Sequence, residues 1–190
     1  STNITENGLF GHSNLGQVVE DPAVARAYLA YWQALEDDPT TPELKDWTGS
    51  ANAAPPDPWV EDQTVVFSPR RGTAVLDWYA DIARGASKAL FMTFAFGMHK
   101  SFTQVYQRDD RVLRFALMEK EGNGPGLEEG RRQIDRLRRR PNVVVAIGNN
   151  ITLNSFDRWL KERSKLSREV NVRFVHTKYM LVDPLGPHPV

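Results

Sequence analysis

His176-Thr177-Lys178-Tyr179-Met180-Leu181-Val182-Asp183 is the stretch whose reading decides both the fold and the chemistry expected of this chain. Val172-Arg173-Phe174-Val175 precedes it and Asp183-Pro184 closes it, so an apolar, β-branched run ends in a turn signal. A buried strand over Val172 to Val182 is the natural reading. Side chains two apart on a strand share a face, so His176 and Lys178 are expected to emerge side by side. An imidazole beside a fixed cation suits attack on a phosphate. The neutral ring is a nucleophile or proton carrier near neutral pH, and the ammonium holds anionic oxygens. Asp183 lies on the opposite face by the same alternation, and its expected role is to fix the strand end. The plain alternative is a core strand that happens to hold a histidine and a lysine. Against it, a lysine on an apolar strand is costly to bury without a partner.

Upstream, strand and helix alternate. Asp21-Pro22 starts a helix over Pro22 to Leu35, with aspartate at the N-cap and proline at the first helical position. Residues 37–58 turn to Pro, Asp, Thr, Ala and Asn, which reads as a linker. A short strand is expected at Thr64 to Ser68, a helix at Ala74 to Ala86, and a buried strand at Ala89 to Phe96. A helix at Ser101 to Tyr106 follows, then a strand at Arg111 to Glu119 and a glycine-rich turn at Gly122 to Gly126. A basic helix at Leu127 to Arg139, a strand at Asn142 to Ile147 and a helix at Ser155 to Leu166 lead into the Val172 strand. Such alternation predicts a layered α/β domain.

Bulk properties narrow the choices. The 190 residues suit one domain or a little more, and 24 basic residues balance 24 acidic ones, so no global charge draws the chain to nucleic acid or an anionic membrane. There is no cysteine, which removes disulfides and thiolate chemistry. The longest apolar run, Ala89 to Met98, is broken by Thr93 and Gly97 and is too short to span a bilayer, so stable membrane insertion is not expected.

The His-x-Lys-x-x-x-x-Asp spacing in its strand setting resembles the His-Lys-Asp signature of the phospholipase D superfamily. The order of elements before it is similar to one repeat of that family. The resemblance implies an α/β layered sandwich, a mixed sheet with helices on both faces. Ser1-Thr2-Asn3 resembles the Ser-x-Asn segment that follows the signature strand, and His12 to Pro22 resembles the next strand and the start of the closing helix. After Asp183 the chain runs only from Pro184 to Val190. The expectation is therefore the tail of a first repeat over 1–36, a linker over 37–62, and a second repeat over 63–190 without its own tail, all from a larger two-repeat protein. One departure stands out. Where the family carries a carboxylate that orients the catalytic histidine, this chain is aligned with Asn14, or the alignment is off by one residue.

The resemblance implies cleavage or transfer of a phosphodiester, on a phospholipid first of all, through a covalent phosphohistidine, with no metal and no cofactor. His176 is nucleophile or acid, its counterpart in the other repeat takes the opposite role, Lys178 holds the non-bridging oxygens, and Asp183 completes the catalytic set. Ser1 and Asn3 would bind substrate phosphate from the preceding repeat's half of the pocket, and Asn14 would orient a histidine. The chain then offers half a site and awaits the rest of the two-repeat protein or a second copy.

Two rivals remain. A nuclease of the same superfamily would use Arg131, Arg132, Arg136, Arg138, Arg139 and Arg140 on the basic helix, although Glu128, Glu129 and Asp135 balance them as on an ordinary solvated helix. A non-catalytic interaction domain, with the motif a relic, gains from the Asn14 departure. His99-Lys100, at the end of the Ala89 strand, lines the same pocket or simply starts a helix. His12 reads as a surface turn residue and His188 as part of a proline-rich end. No histidine and carboxylate spacing resembles a zinc site.

Overall fold

Three apolar runs become parallel strands because each is five or six residues long and is separated from the next by a helix. The structure, a computed structural model, describes residues 4, 9, 12–55, 63–95, 97–121, 126–148, 175–187 and 189–190. The chain divides into two units, residues 17–81 and residues 1–16 together with 82–190.

In the unit of residues 17–81, α1 (Pro22–Glu36) starts as its sequence dictates: Asp21 Oδ1 accepts from Ala23 N at 2.6 Å and Val24 N at 3.1 Å. The stretch read as a linker is not featureless. It holds α2 (Thr41–Ala51), opened by a capping box in which the Glu43 carboxylate accepts from Thr40 N at 2.8 Å and Thr40 Oγ1 at 2.6 Å. The strand expected at Thr64 to Ser68 is absent as well, because a side chain takes its ladder positions. Asn52 Nδ2 donates to Val65 O at 2.8 Å, and Phe67 N donates to Asn52 Oδ1 at 2.8 Å. Phe67 is buried and stacks on Tyr31, ring centres 4.4 Å apart. The division between the units falls within α3 (Ala74–Arg84).

In the other unit, β1 (Ala89–Phe94), β2 (Leu113–Met118), β3 (Val143–Ile147) and β4 (Met180–Val182) form one mixed, open sheet in the order β3-β2-β1-β4. β1 and β2 pair in parallel from Ala89↔Leu113 to Phe94↔Met118, and β2 and β3 from Arg114↔Val143 to Met118↔Ile147. β4 runs antiparallel to β1, Leu90 facing Val182. The connections between parallel strands carry α4 (Lys100–Tyr106) and α5 (Leu127–Arg138), as parallel pairing requires. The fold is thus α/β, with the ends of β1, β2 and β3 within two residues of expectation.

One face of the sheet supplies Leu90, Met92, Ala116, Met118, Val143, Val145 and Ile147 to a core completed by Phe102, Val105 and Tyr106 of α4 and Ile134 and Leu137 of α5. Arg114 is on this inward face with its side chain fully buried, and Asp110 meets it with two bonds, at 2.7 and 2.8 Å. The Arg114 bonds, working against desolvation and helped by Val112 N–H, hold the Asp110 carboxyl down to about 2. On the opposite face Phe91 and Phe115 stack with ring centres 4.6 Å apart.

The motif strand is shorter than expected. Only Met180–Val182 pairs in the ladder; residues 175–179 form no strand, and 172–174 lie outside the described residues, as do the expected helix at Ser155 to Leu166 and most of the Gly122 turn.

Candidate phosphate site

The β4 ladder on β1 stops at Met92↔Met180 because Thr93 puts its side chain where a backbone group would stand. Thr93 Oγ1 donates to Thr177 O at 2.5 Å and accepts from Tyr179 N at 3.0 Å, while Thr93 N donates to Tyr179 O at 3.2 Å. From there back to Val175, side chains hold the backbone. Ser13 Oγ accepts from His176 N at 3.1 Å and Thr177 N at 3.3 Å, and lies 2.7 Å from Thr177 Oγ1. Glu119 Oε2 accepts from Val175 N at 2.6 Å.

The place is the carboxyl end of the parallel strands. Glu119 follows β2 directly, and its N–H donates to Phe94 O, the last residue of β1, at 3.2 Å. Gly148, just past β3, lies against Val175. A Cβ there would stand 2.3 Å from Val175 Cγ2, so only glycine lets the segment come this close. Open α/β sheets bind ligands at this end.

His176 and Lys178 are brought together, but not in the arrangement that simple alternation predicts. The His176 residue is 9 % exposed, whereas Lys178 is exposed. Lys178 Nζ donates to His176 O at 2.7 Å, so the ammonium stands over the histidine's backbone. The expectation of two side chains emerging side by side at an open cleft is therefore corrected, because the period of two holds only where a ladder keeps the pleat. Desolvation lowers the Lys178 pKa.

His12, read from sequence as a surface turn residue, is half-buried instead. Its ring centre lies 5.0 Å from that of His176, with the planes 35° apart.

Asn14, aligned with the family's carboxylate, is exposed and donates from Nδ2 to His12 O at 3.4 Å, while its neighbour Ser13 holds the His176 backbone. Ser1 and Asn3 lie outside the described residues, as does His188. Asp183 is at the other end of β1. Its Oδ2 accepts from Ser87 N and Ser87 Oγ, both at 2.8 Å, and its Oδ1 from Lys88 N at 2.7 Å and Ala89 N at 2.8 Å. Desolvation pushes this carboxyl up, but the bonds from Ala89, Ser87 and Lys88 outweigh it and hold the pKa down to about 2. Asp183 thus anchors the start of β1, at the end away from the imidazole, which corrects its expected place in the catalytic set.

Two features escaped sequence reading. Glu119 was counted only as the end of a strand, and Ser13 only as part of the segment resembling the family's next strand; neither carries a spacing signal. His99 caps α4, its Nδ1 accepting from Ser101 N at 3.3 Å, and lines a cavity of about 460 Å³ with Met98, Met118, Glu121 and Gln133. On α5, Arg131 pairs with Glu121 and Glu128, and Arg132 and Arg136 pair with Glu129, so much of the basic face is neutralised. Among the described residues no group of three or more histidine and acidic side chains stands close enough to hold a metal, and no helix is long and apolar enough to cross a membrane.

Comparison with known proteins adds no name: no protein family, no curated protein and no solved structure matches this chain.

Proposed function

We propose that this chain carries one half of a phospholipase D-type phosphodiesterase or phosphatidyltransferase site, on a layered sandwich with helices over both faces of the sheet. The observation that carries the reading is the 2.7 Å contact between Lys178 Nζ and His176 O, at the carboxyl end of parallel strands. It keeps a cation beside the one histidine of the signature. His176 donates a ring nitrogen lone pair to phosphorus, the P–O bond to the leaving alcohol breaks, and that oxygen takes a proton from a second histidine. Water or an alcohol then attacks phosphorus and gives its own proton to the second histidine as the P–N bond breaks. Lys178 holds the non-bridging oxygens as charge develops.

The second histidine belongs to the companion repeat or a second copy, with the Ser1-x-Asn3 match marking residues of that neighbouring half. Because His12 lies against the His176 ring, phosphate entry requires the His12-Ser13 segment to move aside. The chain by itself is therefore expected to be inactive. The domain reading stays with this proposal: first-repeat tail over 1–36, connecting segment over 37–62, second repeat over 63–190. The nuclease alternative is weakened by the glutamate partners of Arg131, Arg132 and Arg136. Ion-paired arginines have fewer free charges for a phosphate backbone.

The test is peptide mass spectrometry after incubation of the protein, with and without its companion repeat, with a short-chain phosphatidylcholine or bis(p-nitrophenyl) phosphate. An acid-labile phosphoryl adduct on His176, lost in His176→Asn, is the expected result. Turnover that survives His176→Asn overturns the reading.

A further inference from the structure

Glu119 is 6 % exposed, and it ends the strand next to the one that leads toward the proposed site. A buried carboxylate is costly unless its oxygens are bonded. Here Oε2 takes the N–H of Val175 at 2.6 Å, a short bond, while the backbone of Glu119 is fixed by its own N–H to Phe94 O. The acceptor is therefore set by the sheet and held at a defined height above it.

Val175 is gripped on a second side, since its Cγ2 fills the space that a Cβ on Gly148 would need. With its N–H on Glu119 and its side chain against Gly148, Val175 has little freedom. The next residue is His176. Its N–H goes to Ser13, as does that of Thr177. Three successive backbone N–H groups are thus taken by side chains from two distant parts of the chain. In a ladder, the partner strand's backbone would set the register of the whole segment; here each residue is set singly, by a group that a substitution can remove.

We propose that Glu119 is a positioning residue for His176, holding the peptide before it so that the imidazole stands at the carboxyl end of β1 and β2. Its catalytic meaning rests on the phosphodiesterase reading, but its geometric content does not. Without Glu119, the N–H of Val175 loses its buried acceptor, and the segment carrying His176 opens more often. Glu119→Gln keeps a carbonyl oxygen at the same reach and should preserve the hold; Glu119→Ala removes it.

The experiment follows carbethoxylation of His176 by diethylpyrocarbonate in the full chain, read by peptide mass spectrometry against the exposed His99 as internal reference, with thermal unfolding recorded alongside. Glu119→Ala should raise the His176 rate relative to His99 about fivefold, the factor that loss of one ordinary hydrogen bond gives a local opening, while Glu119→Gln stays within about twofold of the parent. An unchanged His176 rate in Glu119→Ala, or equal rates in the alanine and glutamine variants, overturns the proposal. If Glu119→Ala does not fold, amide exchange in the parent and in Glu119→Gln decides. Strong protection of the Val175 amide in both supports the hold, and fast exchange in the parent overturns it. Failure of the two readings is distinguishable. A positive labelling result without any His176 phosphoryl adduct sinks the phosphodiesterase reading alone, and normal adduct formation in Glu119→Ala sinks the positioning role alone.

Discussion

The Lys178 ammonium lies 2.7 Å from the carbonyl oxygen of His176, two residues back along the same segment. In the proposed reaction this cation holds the anionic oxygens as charge develops. Lys178→Met is expected to reduce His176 phosphoryl adduct formation in the assembled protein by about a hundredfold or more, as loss of a charge at a developing oxyanion does. Unfolding in denaturant should barely change, because the side chain is exposed. A loss of stability with adduct formation intact would show that the lysine is only structural. Since desolvation lowers its pKa, the Lys178 amine should also react with acylating reagents at lower pH than a lysine in a short peptide.

Asp183 and Asp110 give the fold an acid-sensitive component. Each carboxyl is held at about 2 in the folded chain, against an ordinary value near 3.9, so the folded state binds fewer protons than the unfolded one in between. The stability from each is fully present above about pH 5 and drains away as the pH falls through 2; with solvent screening at these partly exposed groups it is on the order of 1 kcal/mol apiece. Asp183→Asn should cost about 2 kcal/mol at neutral pH, since an amide NH₂ would face backbone N–H donors. Asparagine tolerates the positive φ of 46° at this position, so the loss isolates the bonds and not the backbone. Denaturant midpoints at pH 7, 4 and 2.5 check both points, with the variant losing less on acidification.

Gly148→Ala should destabilise by about 1–3 kcal/mol, the range for overpacking, because Val175 Cγ2 occupies the new methyl's place. Val175→Ala in the same chain should restore part of that loss. A double variant no better than the sum of the singles would mean that the strain lies elsewhere.

Two ion pairs should differ sharply. Removing Asp110 by alanine strands the fully buried Arg114 side chain and should cost about 3–5 kcal/mol. Asp46, paired with Arg71 at 2.5 Å with both side chains mostly exposed, should cost far less. Equilibrium unfolding of the two alanine variants compares them directly.

The parallel strands were legible because Ala89 to Phe94, Leu113 to Met118 and Val143 to Ile147 are apolar runs divided by helical periodicity. What escaped notice was work done by single polar side chains. The Thr40 and Glu43 box turns a Pro-rich stretch into a helix, and the Asn52 amide replaces a partner for Val65 and Phe67. Thr93 does the same to Tyr179, and so displaces the pairing that would have put His176 and Lys178 on one face. Composition and period register backbone preference, whereas these substitutions depend on which residues meet in space. His12 illustrates the same limit, because its neighbour His176 is 164 positions away and no local pattern announces it.

Ser13 and Thr177 also meet across 164 positions, so their contact is among the most non-local that this chain can make. Closing so long a span brings no reward until the intervening segments are ordered, which places it late in folding. The hydroxyl clasp over the histidine should therefore assemble last and release first. Proteolysis under mild destabilisation should cut near residue 13 while β1 to β3 still resist.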